Sequence, residues 1–336
     1  MNMRAYSLIG ILALVFAFMT SCGQEEVPET AVPPVPLSIE QQRLEAIGHL
    51  DSTSLWILTR PEDMAGHDGL DTLTAEAWIL VEASRGLVIS EKNADQRMYP
   101  ASLTKMMTCL LALEHGHLDD TIRLARDVFV TTDCHVRPGD SYVARDLLNE
   151  MMLLSDNVAA YALAAHAAGD TLAFFDMMNR KADYLGMKAT HFANANGMPN
   201  DSNYSTARDL LRLARYAMCD TLFASIVGTP FLDIPLTDGR HQPCKNTNVL
   251  LENYEGCFGI KTGYTRKAGA CLASAATRDG ITLYLILLKS RNYATRFPES
   301  ALLLDYGFSV IDGYRWRQLL MGPMLQTMEG LKRLRR

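Results

Sequence analysis

The sequence predicts an α+β domain: an antiparallel sheet flanked by helices, with a helical middle subdomain. Two observations predict it. Short apolar runs cluster early in the chain and again late, and the stretch between them repeats apolar residues at helical spacing. The 336 residues, 48% hydrophobic and 21% charged, supply enough apolar material for a large core and exclude global disorder.

Each element follows from its local pattern. Trp78-Ile79-Leu80-Val81 and Leu87-Val88-Ile89, separated by Glu82 to Gly86, predict a hairpin. Pro100-Ala101-Ser102 opens a helix through Glu114, with Leu103, Met106, Met107, Leu110 and Leu113 at helical spacing. Further helices are expected at Ala144–Leu154, Val158–Ala168, Leu172–Leu185 and Ala207–Met218. Gly259–Gly263, Ala270–Ala276 and Thr282–Lys289 read as three strands joined by tight turns, followed by a helix at Pro298–Tyr306. Strands at both ends of a helical middle imply one sheet in which the first and last strands meet.

Charge and composition narrow the function. With 32 Lys and Arg against 38 Asp and Glu, the formal charge is -6 and the basic residues are scattered, so no nucleic-acid footprint is expected. No period of 20 to 50 residues marks a repeat architecture. Neither C-x-x-C nor clustered Cys/His spacing occurs, so neither a metal nor a cofactor is expected, and His115 and His117 read as a solvated turn. Cys109, Cys134, Cys219, Cys244, Cys257 and Cys271 could pair in an oxidising compartment, and sequence does not choose among the pairings.

Such a compartment is expected from residues 1–21. Arg4 supplies a positive start and Ile9 to Met19 an apolar stretch too short to span a bilayer comfortably. Met19-Thr20-Ser21-Cys22-Gly23 resembles a bacterial lipoprotein cleavage box, which makes Cys22 the expected lipidated first residue and membrane anchor. The alternative is an ordinary cleaved signal with an incidental cysteine. Residues 22–38, acidic and then Pro-rich, are expected to form a tether reaching roughly 50 to 60 Å. A poorly patterned extension at 39–74, a domain at 75–310 and a basic tail at 311–336 complete the expected organisation. The tail places Leu320, Met324, Met328 and Leu331 at helical spacing.

The chemistry centres on Ser102-Leu103-Thr104-Lys105. A helix puts residues i and i+3 on one face, so the Lys105 amine stands one turn from the Ser102 hydroxyl. A buried lysine, its basicity lowered by desolvation and a second cation, can take the serine proton. Alone the spacing is weak, because the serine and lysine frequencies predict roughly half a match by chance. Two further motifs raise its weight: Ser155-Asp156-Asn157 at a helix-to-helix junction and Lys261-Thr262-Gly263 in an expected strand.

In this order the three resemble the signature of the penicillin-recognising serine enzymes, S-x-x-K, S-x-N and K-T-G, and the expected fold is accordingly penicillin-binding-protein transpeptidase-like or β-lactamase-like. Asn93-Ala94-Asp95, His191-Phe192, Asn196-Gly197, Tyr204 to Asp209, Gly259 to Thr265, Lys267-Ala268-Gly269, Arg296-Phe297 and Gly307-Phe308 extend the likeness from about residue 75 to about 310. The chain is thereby similar to the low-molecular-weight penicillin-binding proteins, D-alanyl-D-alanine carboxypeptidases of serine peptidase family S11. The resemblance implies peptidoglycan stem peptides and β-lactams as partners. It makes Ser102 the nucleophile toward the penultimate D-Ala carbonyl, Lys105 the general base and Ser155 the proton relay to the leaving amine. Lys261 would disfavour a proton on Lys105 and attract the terminal carboxylate. Asn157 would hold a substrate amide or orient Lys105, Thr262 and Arg296 would contact that carboxylate, and the N–H groups of Ser102 and Tyr264 would form the oxyanion hole. The Gly263 to Thr265 edge would pair with the extended peptide.

Arg208 and Asp209 read as capping and pairing residues, and Asn196-Gly197 as a turn outside the site. Phe258 stands where the resembled family usually has Asp, and Thr247 where some relatives have Arg, so both departures are expected on the substrate rim. The alternatives to a carboxypeptidase are a DD-endopeptidase acting on cross-links, a class A-like β-lactamase and a non-enzymatic wall-binding lipoprotein. The second lacks a glutamate between Glu150 and Glu252 to activate a deacylating water, and the third is at odds with intact Ser102, Lys105, Ser155 and Lys261. Many S11 relatives continue into a β-rich second domain, for which the about 26 residues after 310 are too few.

Overall fold

The computed structural model describes residues 40–41, 70–129, 131 and 134–313. The expected signal, Cys22, the tether, most of the 39–74 extension and the tail after 313 lie outside the described residues.

β1 (Ala77–Glu82) and β2 (Leu87–Lys92) form the expected hairpin, Trp78 standing opposite Lys92. A 3-10 turn, Ala101–Thr104, then feeds α1 (Lys105–His115), so the expected helix begins as a tighter coil that carries Ser102. The short pair β3 (Thr121–Arg123) and β4 (Ser141–Val143) precedes α2 (Ala144–Leu153), α3 (Asn157–Ala168), α4 (Thr171–Tyr184) and α5 (Ala207–Met218). Polar caps start the last three of these helices: Asp156, Asp170 and Thr206 each accept backbone N–H bonds from the first turn. Next come α6 (Thr221–Gly228), the hairpin β5 (Phe231–Pro235) with β6 (His241–Lys245), and α7 (Leu250–Asn253). The sheet closes with β7 (Cys257–Thr265), β8 (Gly269–Arg278) and β9 (Ile281–Ser290), and α8 runs from 296 to 313.

Strand order in the main sheet is β2-β1-β9-β8-β7, every neighbour antiparallel. The first and last strands of the sequence do meet, Ile79 opposite Ile286. Alternation along β9 sorts the core onto two faces. Leu283, Leu285 and Leu287 pack with Trp78, Leu80, Leu303 and Leu304, the last two from α8. Ile286 and Leu288 face the helical middle, where Leu103, Leu110, Leu147, Leu163 and Leu210 join them. Burying each such side chain contributes about 1.5–3 kcal/mol, so the sheet is clamped from both sides.

Two differences from the sequence reading have physical causes. The β5–β6 hairpin left little trace because most of its residues are exposed and each strand carries a proline, Pro235 and Pro243. α8 begins two residues before Pro298, which sits inside the first turn where a missing N–H goes unnoticed. Among the described residues no disulfide joins any two of Cys109, Cys134, Cys219, Cys244, Cys257 and Cys271.

Candidate active site

A cleft of about 210 Å³ opens between the helical middle and the free edge of β7. Ser102, Ser155, Asn157, Thr262, Gly263, Tyr264 and Arg296 all line it. Residues scattered over almost two hundred positions thus converge, and the buried amines of Lys105 and Lys261 stand behind them.

The backbone around Ser102 is shaped by close contacts. Ala101 adopts φ +50°, a left-handed conformation costly for a residue with a Cβ and characteristic of functional turns. Two glycines let other segments press against this turn. A Cβ on Gly197 would lie 1.9 Å from the Ala101 carbonyl oxygen, and one on Gly263 would lie 3.1 Å from the Ser102 nitrogen. Strand β7 and the 197 loop therefore grip the turn from two sides.

Lys105 is completely buried, and its Nζ lies 3.0 Å from Ser102 Oγ and donates to Asn157 Oδ1 at 2.9 Å and the Asn196 carbonyl oxygen at 2.8 Å. The i, i+3 expectation is met, and Asn157 is in hydrogen-bond contact with the lysine amine. Asn196 had been read as part of a turn outside the site; that reading is corrected, since its backbone carbonyl fixes Lys105 and Gly197 lines the cleft. Lys261 is also buried. Its burial first, then the positive charges of Lys105 and Arg296, pushes its amine well below the usual lysine range.

Ser155 sits between α2 and α3 with φ +64°, and the next residue, Asp156, caps α3 by accepting from the N–H groups of Val158 and Ala159 at 2.8 Å. Burial alone would raise the Asp156 carboxyl; hydrogen bonds from the His135 side chain and from the backbone of Ala159, His135 and Val136 outweigh it and hold the group below the usual range. This cap fixes the direction of α3 and with it the Asn157 side chain.

The β7 side carries the residues expected to contact substrate. Thr262 Oγ1 lies 2.6 Å from Thr247 Oγ1, and Thr247 is itself held by a backbone bond to Leu153. Arg296 is fully buried at the start of α8: Nη1 donates to the Gly263 carbonyl at 2.8 Å, whereas Nε and Nη2 have no partner among the described residues. Its guanidinium lies 4.0 Å from the Tyr293 ring centroid, and Tyr293 meets Tyr264 edge to face. Tyr264 remains half exposed at the mouth.

Of the two departures expected on the rim, only Thr247 lies there. Phe258 is corrected: it packs edge to face on Tyr284 against the core, and it is absent from the cleft lining. Arg208 pairs with Asp95 and Glu91, and Asp209 holds Ala189 and Thr190, as their capping and pairing assignment required. Tyr293 and His135, which also line the cleft, carried no sequence signal, because each is brought in by the path of a loop.

Comparison with known proteins agrees with this geometry. The peptidase S11 family, described as D-alanyl-D-alanine carboxypeptidase, matches residues 64–292. The chain is 35% identical over 245 residues to the D-alanyl-D-alanine carboxypeptidase DacB2 of Mycobacterium tuberculosis, covering 70% of this chain and 83% of the relative. It is 32% identical over 286 residues to the D-alanyl-D-alanine carboxypeptidase of Streptomyces sp. strain K15, covering 80% and 95%. Against the larger DacA of Escherichia coli K12, 32% identity extends over 71% of this chain and 62% of the relative. Among solved structures, the Streptomyces K15 DD-transpeptidase superposes with a TM-score of 0.67 at 32% identity, over 70% of this chain and 98% of that one. The carboxypeptidase DacD of Francisella tularensis superposes with a TM-score of 0.65 at 30% identity, over 70% and 71%.

Proposed function

The chain belongs to the D-alanyl-D-alanine carboxypeptidase family, peptidase S11, and from that premise we propose that it removes the terminal D-Ala of peptidoglycan stem peptides through an acyl-enzyme on Ser102. It is a serine-type carboxypeptidase, and β-lactams are pseudosubstrates of the same hydroxyl.

The observation that carries the residue assignment is the set of bonds at Lys105 Nζ. A neutral lysine has two N–H donors and one lone pair. Asn157 Oδ1 and the Asn196 carbonyl can only accept from the amine, so they take the two donors and leave the lone pair toward the Ser102 hydroxyl at 3.0 Å. Ser102 Oγ attacks the penultimate D-Ala carbonyl as its proton passes to Lys105. The developing oxyanion accepts from the N–H groups of Ser102 and Tyr264. Ser155 relays that proton from Lys105 to the leaving D-Ala nitrogen, giving up its own and taking the one Lys105 holds, and water then hydrolyses the ester to release the shortened peptide and restore Ser102. Arg296 Nε and Nη2, buried and without a partner among the described residues, suit a free carboxylate at the inner end of the cleft, with the Lys261 amine near by. Thr262 and Thr247 add hydroxyls on that side, and the Gly263 to Thr265 edge pairs with the peptide backbone.

The test measures D-alanine release from a peptide ending in D-Ala-D-Ala and from its C-terminal amide. Arg296→Ala is expected to lower kcat/KM on the free acid by tens-fold or more and on the amide far less. Equal losses on both would assign Arg296 to holding the Gly263 carbonyl alone.

The same proposal includes its place in the cell. Cys22 carries lipid, anchoring the enzyme to a membrane of the bacterial envelope facing the periplasm, and residues 23–38 let the domain reach its polymeric substrate. Among the described residues no single helix is long and apolar enough to cross a membrane.

A further inference from the structure

We propose that His135, Glu150 and Asp156 form a binding site for one divalent transition-metal cation of the zinc type, entered from the active-site cleft. The three come from different segments: the loop before β4, helix α2 and the cap of α3. One ligand atom from each lies within 4.8 Å of the other two. No sequence spacing announces such a group, which is why neither a Cys nor a His pattern foretold it.

The chemistry of the donors points to a cation. Glu150 is completely buried, and both of its carboxylate oxygens lack a hydrogen-bond partner among the described residues. A buried carboxylate with no hydrogen-bond donor is strongly unfavourable. Burial first, then the nearby Asp156 charge, drives this carboxyl well above its usual range, with Lys105 pulling only partly the other way. A cation between the two acids would supply Glu150 with the partner it lacks and offset the Asp156 charge. Asp156 Oδ1 is committed to capping α3, and Oδ2 accepts from the backbone of His135 and Val136, yet a carboxylate oxygen taking these bonds still has lone-pair capacity. His135 Nδ1 stands 3.7 Å from that oxygen. One imidazole and two carboxylates are the mixed nitrogen and oxygen set that zinc-type ions take, with the fourth position left to water. Tetrahedral donors sit about 3.3 Å apart, so the group must draw in by up to about 1.5 Å. The imidazole side chain, 51% exposed, can make that move by turning about its own side-chain torsions.

Access and consequence are both visible. His135 and Asp156 line the cleft beside Ser155 and Asn157, so an ion has a path in. Once bound, it would tie the 134–136 loop to α2 and to the cap of α3, the helix that orients Asn157. The inference uses no step of the proposed peptidase reaction and stands or falls apart from it.

Titration calorimetry and thermal melting of the full chain with zinc chloride test it, with EDTA reversal. The wild type is expected to bind one equivalent and to melt several degrees higher when saturated. Glu150→Gln and His135→Ala should each weaken binding by tenfold or more. Melting without zinc reports whether Glu150→Gln folds, and the exposed His135 provides a second variant independent of the buried position. No binding by the wild type, or equal binding by both variants, would overturn the site and assign any zinc to cysteines or to other histidines.

Discussion

At the scale of single residues, the proposed chemistry rests on the geometry at Lys105. Lys105→Arg keeps a cation but cannot supply a lone pair, so acylation by a penicillin should slow by roughly a hundredfold or more, measured by stopped-flow labelling at neutral pH. Near-normal acylation would show that another group takes the Ser102 proton. The residues of the three motifs were legible because side-chain type and spacing both announce them. Asn196 and Gly197 were not, since one acts through a backbone carbonyl and the other through the absence of a Cβ, and neither role leaves a chemical mark in a sequence. Thr247 was seen as a departure and proves to be a partner of Thr262. Phe258 looked equally significant from its position one residue before Gly259-Ile260-Lys261, yet it faces the core.

At the scale of elements, the site is built where the edge of β7 presses on the 3-10 turn ahead of α1. Gly263→Ala tests that contact: the added Cβ would meet the Ser102 nitrogen at 3.1 Å and the Leu103 nitrogen at 3.3 Å, backbone atoms that cannot rotate away. The sheet should fold, as far-ultraviolet circular dichroism would record, while penicillin labelling falls at least tenfold; unchanged labelling would mean that β7 is not seated against the turn. The helices that carry the site were legible because each buries a regular stripe and three begin at polar caps, Asp156, Asp170 and Thr206. β7, β8 and β9 were legible from apolar runs broken by tight turns. The β5–β6 pair and the three-residue strands β3 and β4 were not, because elements that bury so little impose no pattern on their residues.

At the scale of the whole molecule, the pairing of β1 with β9 closes the sheet and carries β7 to its free edge, where residues late in the chain face residues near its start. Concentrating cations there has a stability cost. Folded Lys261 holds its proton less readily than the unfolded chain does, so the wild type loses stability as pH falls through the range below about 10.4, the ordinary lysine value. Lys261→Met removes that penalty and should melt higher than the wild type at neutral pH, the difference shrinking as pH approaches about 10.4; a variant less stable at every pH would show that the amine supports the fold. Cys22→Ser should move an active enzyme from the membrane to the soluble fraction, and retention on the membrane would require another anchor. The central claim is that this fold assembles one reactive serine at the cleft, and intact-protein mass spectrometry after penicillin treatment tests it most directly. The wild type should gain a single penicilloyl adduct and Ser102→Ala none, whereas an adduct that persists on Ser102→Ala, or a wild type that gains none, would contradict the account.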